Sequence, residues 1–180
     1  MTVGIKMDSG GASVHATAVL VGDRAVLIRG PSGAGKSRLA FDLILAGRAG
    51  QIASATLVGD DRVFLEASEG ELVVRPAPQL AGLIEIYGLG IRRCDFVERA
   101  VLGMVVDLAA PDAERLPPPE NLRVQLHGVE IPRIPIKAGF QALPLVVAAL
   151  TTTPHIEICL ILTDCKKGIG NHIRDTIATE

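Results

Sequence analysis

The sequence predicts an α/β domain, a mixed β-sheet with flanking helices built around a P-loop. Three observations predict it. Short runs rich in Val, Ile and Leu recur along the 180 residues, each bounded by Gly, Pro or Asp. One of them, Ala25 to Arg29, runs directly into Gly30-Pro31-Ser32-Gly33-Ala34-Gly35-Lys36-Ser37, and a segment with helical spacing of apolar residues follows at once. Apolar residues make up 48% of the chain, mostly Val, Leu, Ile and Ala, a composition suited to sheets buried on one or both faces.

In chain order, Val14 to Val21 and Ala25 to Arg29 read as two strands joined by a tight turn at Gly22-Asp23-Arg24. Arg38 to Ala46 carries the helical pattern, and Gly47 is expected to stop it. Further strands are expected at Ala55 to Val58, Val63 to Glu66, Glu71 to Arg75, Leu83 to Tyr87, Val101 to Leu108, Leu122 to His127 and Ile131 to Ile136. Pro111 to Glu120 holds four prolines among charges and reads as an exposed connection. Gly139 to Leu150 fits a closing helix if Pro144 sits in its first turn. The length suits one domain spanning 1–180, with an ordered core over about 12–163 and a polar tail over 164–180.

Composition excludes several function classes. The net charge of −2, a pI near 6.1 and 3% aromatic residues offer neither a phosphate-neutralising surface nor base-stacking platforms, so nucleic acid is not an expected partner. The richest apolar windows, Leu143 to Leu150 and Ile156 to Leu162, fall short of the roughly 18 residues needed to span a membrane. Met1 to Gly11 lacks the apolar run of a signal peptide, and a cytoplasmic location is expected. Cys94, Cys159 and Cys165 form neither a CxxC nor a Cys/His cluster, which suits idle thiols in a reducing compartment.

Gly30 to Ser37 matches GxxxxGK[ST] at every fixed position. Glycines let the backbone curve so that successive N–H groups face a phosphate, and the following helix adds its positive end. Lys36 then meets the outer phosphates of a nucleoside triphosphate, and Ser37 offers a hydroxyl to Mg²⁺. Two acidic sites follow. Asp60-Asp61 comes at the end of an expected strand, where open sheets collect ligands, and one of the pair is suited to accept a proton from an incoming hydroxyl. Glu85 lies within the apolar strand Leu83 to Tyr87, where a carboxylate requires a compensating cation such as Mg²⁺. A solvated turn and an exposed strand face are the respective alternatives.

His15 ahead of the hairpin, GPSGAGKS, LVGDDRV at Leu57 to Val63, IEIYGLGI at Ile84 to Ile91 and GVEIPRIPI at Gly128 to Ile136 together resemble the HPr kinase/phosphorylase family, in that order. The similarity runs from about His15 to Phe140 and covers only the family's C-terminal catalytic domain. It implies a fold like that of HPr kinase and phosphoenolpyruvate carboxykinase, and a serine kinase that phosphorylates HPr or an HPr-like phosphocarrier of the phosphotransferase system with ATP and Mg²⁺. By the same resemblance, Lys36 and Ser37 hold phosphate and metal, and Glu85 is the second protein ligand of Mg²⁺. Asp60 is the general base toward the acceptor serine, with Asp61 beside it as the second catalytic acid of the pair. His15 tunes the catalytic aspartate, and Arg115 falls where the family has a catalytic arginine. A homo-oligomer, commonly a hexamer, is also implied.

Three departures stand beside the match. Pro135-Ile136-Lys137-Ala138-Gly139-Phe140 lacks both arginines of the family's PVRPGR-like loop, which puts the reverse phosphorylase activity in doubt. Tyr87 replaces the arginine usual after the glutamate strand, and a short form without the long N-terminal domain of many members is expected. Two rival functions share the loop. One is a small-molecule kinase, against which the GLGI segment argues; the other is a non-catalytic nucleotide-binding regulator. The sequence lacks both the NKxD signature of guanine switches and the HRD and DFG signatures of eukaryotic kinases.

Overall fold

Period-2 apolar runs need partners on both edges and cover on both faces, and the computed structural model, which describes residues 12–153, supplies them with a nine-stranded mixed sheet. The expected first strand divides in two. β1 (Ala12–Val14) pairs with β5 (Val63–Ser68), the chain bends at His15-Ala16, and β2 (Thr17–Val21) pairs with β3 (Arg24–Arg29) through the expected tight turn. The remaining strands of this sheet are β4 (Ala55–Gly59), β6 (Glu71–Pro76), β9 (Ala100–Leu108), β10 (Arg123–Leu126) and β11 (Val129–Ile136). Their order is β1-β5-β6-β9-β3-β2-β4, and β11 joins β9 in parallel and carries β10 beyond it.

Direction decides where the site forms. β3, β9 and β11 are mutually parallel, and β4 points the same way because β2 is antiparallel to both β3 and β4. The carboxyl ends of β3, β4 and β9 therefore deliver Gly30, Asp60 and Leu108 to one edge of the sheet, and Thr17, which opens β2, lies there too, opposite Ile28. Parallel α/β sheets place ligands at this edge.

α1 (Lys36–Arg48) packs Leu39, Ala40, Leu43 and Ile44 against Val19, Val26, Ile28, Leu57 and Val106 on one face of the sheet. The other face buries Ala18, Ala25, Leu27, Val58, Leu65, Leu72 and Val105. β3 contributes alternate residues to both layers, which explains its unbroken apolar sequence. Full burial of Leu43 alone is worth about 1.5–3 kcal/mol. α2 (Ala142–Thr151) adds Val146 to the α1 side, with Pro144 in its first turn as expected.

Two sequence expectations need correction. Gly47 does not end α1: it lies inside the helix, where a Cβ would come within 2.7 Å of the Ala55 nitrogen, so glycine serves close packing against β4. The stop is Gly50 at φ 71, with the Gln51 N–H donating to the Ala46 carbonyl at 3.0 Å and the Gly50 N–H to the Gly47 carbonyl at 3.1 Å. The expected strand Leu83 to Tyr87 is not in the main sheet. It is β7 (Leu83–Ile86), which forms a separate two-stranded hairpin with β8 (Gly90–Arg93), a strand the sequence did not suggest. Tyr87 lies beyond the strand in the turn, where Leu89 N–H meets the Ile86 carbonyl and Gly88 adopts φ 84.

The compact unit containing the sheet ends at Leu150. The apolar window Ile156 to Leu162, Cys159, Cys165 and the polar tail lie outside the described residues. Among the described residues no helix is long and apolar enough to cross a membrane.

Candidate functional site

The glycine loop joins β3 to α1 and is shaped by its backbone. Gly30 adopts φ 146 and passes so close to β9 that a Cβ would lie 2.9 Å from the Leu108 carbonyl oxygen. Gly33 at φ 76 and Gly35 at φ 92 face open space, so there glycine answers the backbone conformation and leaves room above the loop. Pro31 and Ser32 are exposed, and Ala34 donates its N–H back to the Pro31 carbonyl at 3.2 Å. No side chain caps α1 and no acid occupies its first turn, which keeps the positive helix end available to an anion. Lys36 is buried, and its ammonium donates to the carbonyls of Gly30 and Pro31 at 3.1 and 3.2 Å. The cation thus closes the loop on itself at the place where phosphate oxygens would compete for it.

Asp60 follows β4 directly and is only 4% exposed. Its Oδ1 accepts hydrogen bonds from the Thr17 hydroxyl at 2.6 Å and the Ser37 hydroxyl at 2.8 Å, and its Oδ2 accepts the backbone N–H of Glu85 at 2.9 Å. One buried carboxylate therefore ties together β2, the first turn of α1 and the β7–β8 hairpin. Three donors compensate the burial of its charge.

Asp61 differs in every respect. Its side chain is 66% exposed and its φ is 65, and the Arg62 N–H reaches over it to the Asp60 carbonyl at 2.7 Å. This is a γ-turn at positive φ, a rare and strained conformation. His15 Nδ1 lies 3.3 Å from Asp61 Oδ1. The bend after β1 makes the contact, because Val14 pairs with Val63, two residues beyond Asp61.

The two acids of the pair thus occupy different environments. Asp60 is buried and its oxygens accept three hydrogen bonds, whereas Asp61 is the more exposed carboxylate of the two. The physical case for Glu85 changes. Glu85 is exposed on a hairpin and needs no cation to offset burial, yet its backbone stands one carboxylate away from the Ser37 hydroxyl. Among the described residues no three His, Cys, Asp or Glu side chains cluster as a metal site. Mg²⁺ retains water and phosphate oxygens and takes only one or two protein groups, and the hard oxygens of Ser37 and Glu85 fit that demand. Ser37 spends its proton on Asp60, which leaves its lone pairs for a cation.

Arg115 is exposed in the connection between β9 and β10 and forms no hydrogen bond or ion pair with the described residues. Both ends of its segment are held by Arg133, which donates to the Asp112 carboxylate at 2.6 and 2.9 Å and to the Asn121 carbonyl at 3.0 Å. Arg133 also donates to Asp107 Oδ2 at 2.5 Å, and Arg29 donates to both oxygens of Asp107 at 2.7 Å. Burial pushes the Asp107 carboxyl up, but the hydrogen bonds and charges of Arg29 and Arg133 outweigh it and leave the group below the ordinary carboxylate value. Arg133 lowers Asp112 as well, chiefly through its hydrogen bonds. Asp107 is next to last in β9, the strand beside β3, and its oxygens are engaged by two guanidiniums, so it is not free to bind a metal as the acid of many P-loop enzymes does.

Sequence reasoning missed Thr17 and this arginine–aspartate network. A lone Thr in an apolar strand reads as an ordinary strand former. Asp107 inside Val101 to Leu108 did carry a signal, the same buried-acid argument that was spent on Glu85. Cys94 is partly buried, which pushes its thiol above the ordinary value, in keeping with an idle cysteine.

A cavity of about 350 Å³ lies at the opposite end of β3, lined by Arg24, Glu71, Leu72, Gly103 and Ile131, away from all of these groups.

Known proteins agree with this architecture. The family described as the HPr Serine kinase C-terminal domain matches residues 9–156. The HPr kinase/phosphorylase of Mycoplasma mycoides is 30% identical over 155 residues, covering 77% of this chain and 47% of that protein. That of Streptococcus thermophilus is 35% identical over 148 residues, covering 71% and 43%. The chain thus spans less than half the length of these curated relatives. The solved HPr(Ser) kinase/phosphatase from Coxiella burnetii superposes with a TM-score of 0.61 over 85% of this chain and 99% of that chain, at 23% identity, which speaks to the fold. By its matched residues and its relatives, this chain belongs to the HPr kinase/phosphorylase family.

Proposed function

We propose that this chain is a protein-serine kinase domain that transfers the γ-phosphoryl group of ATP to a serine of HPr or an HPr-like phosphocarrier. One observation carries this above all: the Asp60 carboxylate joins Ser37 of the glycine loop to the hairpin bearing Glu85, while Asp61 and His15 stand open beside it. A bare nucleotide binder has no need of an exposed carboxylate–histidine pair at its phosphate edge.

In this reading Gly30 to Ser37 surrounds the triphosphate, and Lys36 exchanges its two loop carbonyls for phosphate oxygens. Ser37 and Glu85 would hold Mg²⁺, which neutralises charge developing on the phosphates. Asp61 accepts the proton of the acceptor hydroxyl as that oxygen bonds to the γ-phosphorus and the bond to the β-phosphate oxygen breaks, releasing ADP. His15 orients Asp61 from 3.3 Å. Arg115, on its exposed segment, is the residue suited to spread charge in the transition state. Pro135 to Phe140 offers Lys137 as its lone cation, so only the kinase direction is assigned. A cytoplasmic homo-oligomer, hexameric as the family resemblance implies, completes the reading.

The test is to incubate the chain with ATP, Mg²⁺ and purified HPr and to look for acid-stable phosphoserine by mass spectrometry. Phosphoserine that vanishes in Asp61→Asn supports the assignment. Nucleotide binding with no transfer to HPr or any HPr paralogue would overturn it.

A further inference from the structure

The Thr17 hydroxyl is the most deeply buried polar group at the site: the residue is 0% exposed, and its Oγ1–H bond to Asp60 Oδ1, at 2.6 Å, is the shortest of the three bonds that Asp60 accepts. Such a length is typical of a hydroxyl donating to an ionised carboxylate. Thr17 stands on the buried core of the sheet, at the start of β2 and paired with Ile28 of β3, flanked by the buried Ala16 and Ala18. The other two donors do not. Ser37 lies at the start of α1 beside the glycine loop, and Glu85 lies on a hairpin outside the main sheet.

Geometry therefore ranks the three bonds. A carboxylate oxygen has two favoured acceptor directions, and Thr17 occupies one of the two at Oδ1. That fixes the carboxylate plane and leaves the second direction to the Ser37 proton. With its proton committed there, the Ser37 oxygen presents its lone pairs away from Asp60, on the side open to a cation.

We infer that Thr17 is a positioning residue for the metal: through Asp60 it sets the orientation of the Ser37 hydroxyl, and so the affinity of the nucleotide-loaded site for Mg²⁺. This rests on the kinase reading only in requiring that Ser37 bind Mg²⁺ together with nucleotide; it requires no phosphoryl transfer. Thr17 is fully buried with its hydroxyl bonded to Asp60, so a role confined to satisfying a buried carboxylate would alter stability and leave the metal requirement alone.

The experiment titrates Mg²⁺ into the protein saturated with a fluorescent ATP analogue and, separately, measures analogue affinity in EDTA. Thr17→Val keeps the shape and removes the hydroxyl. It should raise the Mg²⁺ midpoint about tenfold, the weight of one hydrogen bond to a charged group, while affinity in EDTA stays within about twofold. Thr17→Ser restores the hydroxyl and should return the midpoint to that of the unmodified chain. Should Val unfold the chain, Thr17→Ala removes the same hydroxyl with less bulk and carries the comparison. An unchanged midpoint in the folded variant lacking the hydroxyl, or a midpoint raised equally by Ser, overturns the inference. Failure of the unmodified chain to bind the analogue overturns the kinase reading itself, and is seen before any variant is made.

Discussion

His15 and Asp61 face each other at 3.3 Å on the solvent side of a site whose second carboxylate, one residue away, is buried and accepts three hydrogen bonds. Neighbours in sequence thus occupy opposite environments, and each is expected to fail differently when altered. Asp61→Asn should lower kcat about 10²–10⁴-fold, the usual weight of a general base, with nucleotide affinity unchanged. Asp60→Asn should instead raise the Mg²⁺ requirement, because the amide turns N–H donors toward groups that are themselves donors. Steady-state phosphorylation of HPr and calorimetry with Mg-ATP separate the two effects.

The γ-turn at Asp61 yields a second prediction. Its φ of 65 is more comfortable for glycine, so Asp61→Gly should stabilise the fold by a few tenths to about 1 kcal/mol while abolishing transfer. Thermal unfolding should show a gain of about 1–3 °C. A loss of stability would mean that the His15 contact outweighs the backbone strain.

Gly47→Ala sets two effects against each other. Inside a helix the change normally stabilises by roughly 0.5–1 kcal/mol. Here the new methyl would lie 2.7 Å from a backbone nitrogen of β4, which cannot swing aside, and overpacking of about 1–3 kcal/mol should win. Urea unfolding of the variant is expected to show a lower midpoint at an unchanged slope.

The arginine–aspartate network gives a pH prediction of definite sign. Asp107 and Asp112 are held below the ordinary carboxylate value in the folded chain, so their stabilisation is complete above the unfolded value of about 3.9 and is lost as pH falls below it. Arg133→Leu should flatten that acid limb and lower stability at neutral pH by about 2–4 kcal/mol, since Arg29 remains to Asp107. Far-UV circular dichroism between pH 2 and 7 checks both. The same variant frees both anchors of the Arg115 segment, so kcat should fall while nucleotide affinity holds.

Much of this was legible in the sequence, and what was not has physical causes. Strand–loop–helix order around Gly30 to Ser37 was readable because glycine, lysine and serine at that spacing have few other uses. The strands of the main sheet were readable from their apolar runs. The break at His15-Ala16 was not, because Ala16 and Thr17 keep the run apolar and β-prone while the chain changes partners from β5 to β4 and β3. Gly47 looked like a helix stop because a glycine required by a neighbouring strand and one required by backbone conformation are the same letter. Asp60 and Asp61 were found as a pair, but which was buried depended on Thr17 and Glu85, 43 and 25 residues away, and no local pattern encodes such distances.

The tether between the hairpin and Asp60 is made by the main-chain N–H of Glu85 and not by its side chain. Every amino acid except proline carries that group. The exposed residues of the hairpin, Tyr87, Leu89 and Ile91 among them, can therefore drift toward a different protein acceptor while the buried anchorage beneath them is inherited intact.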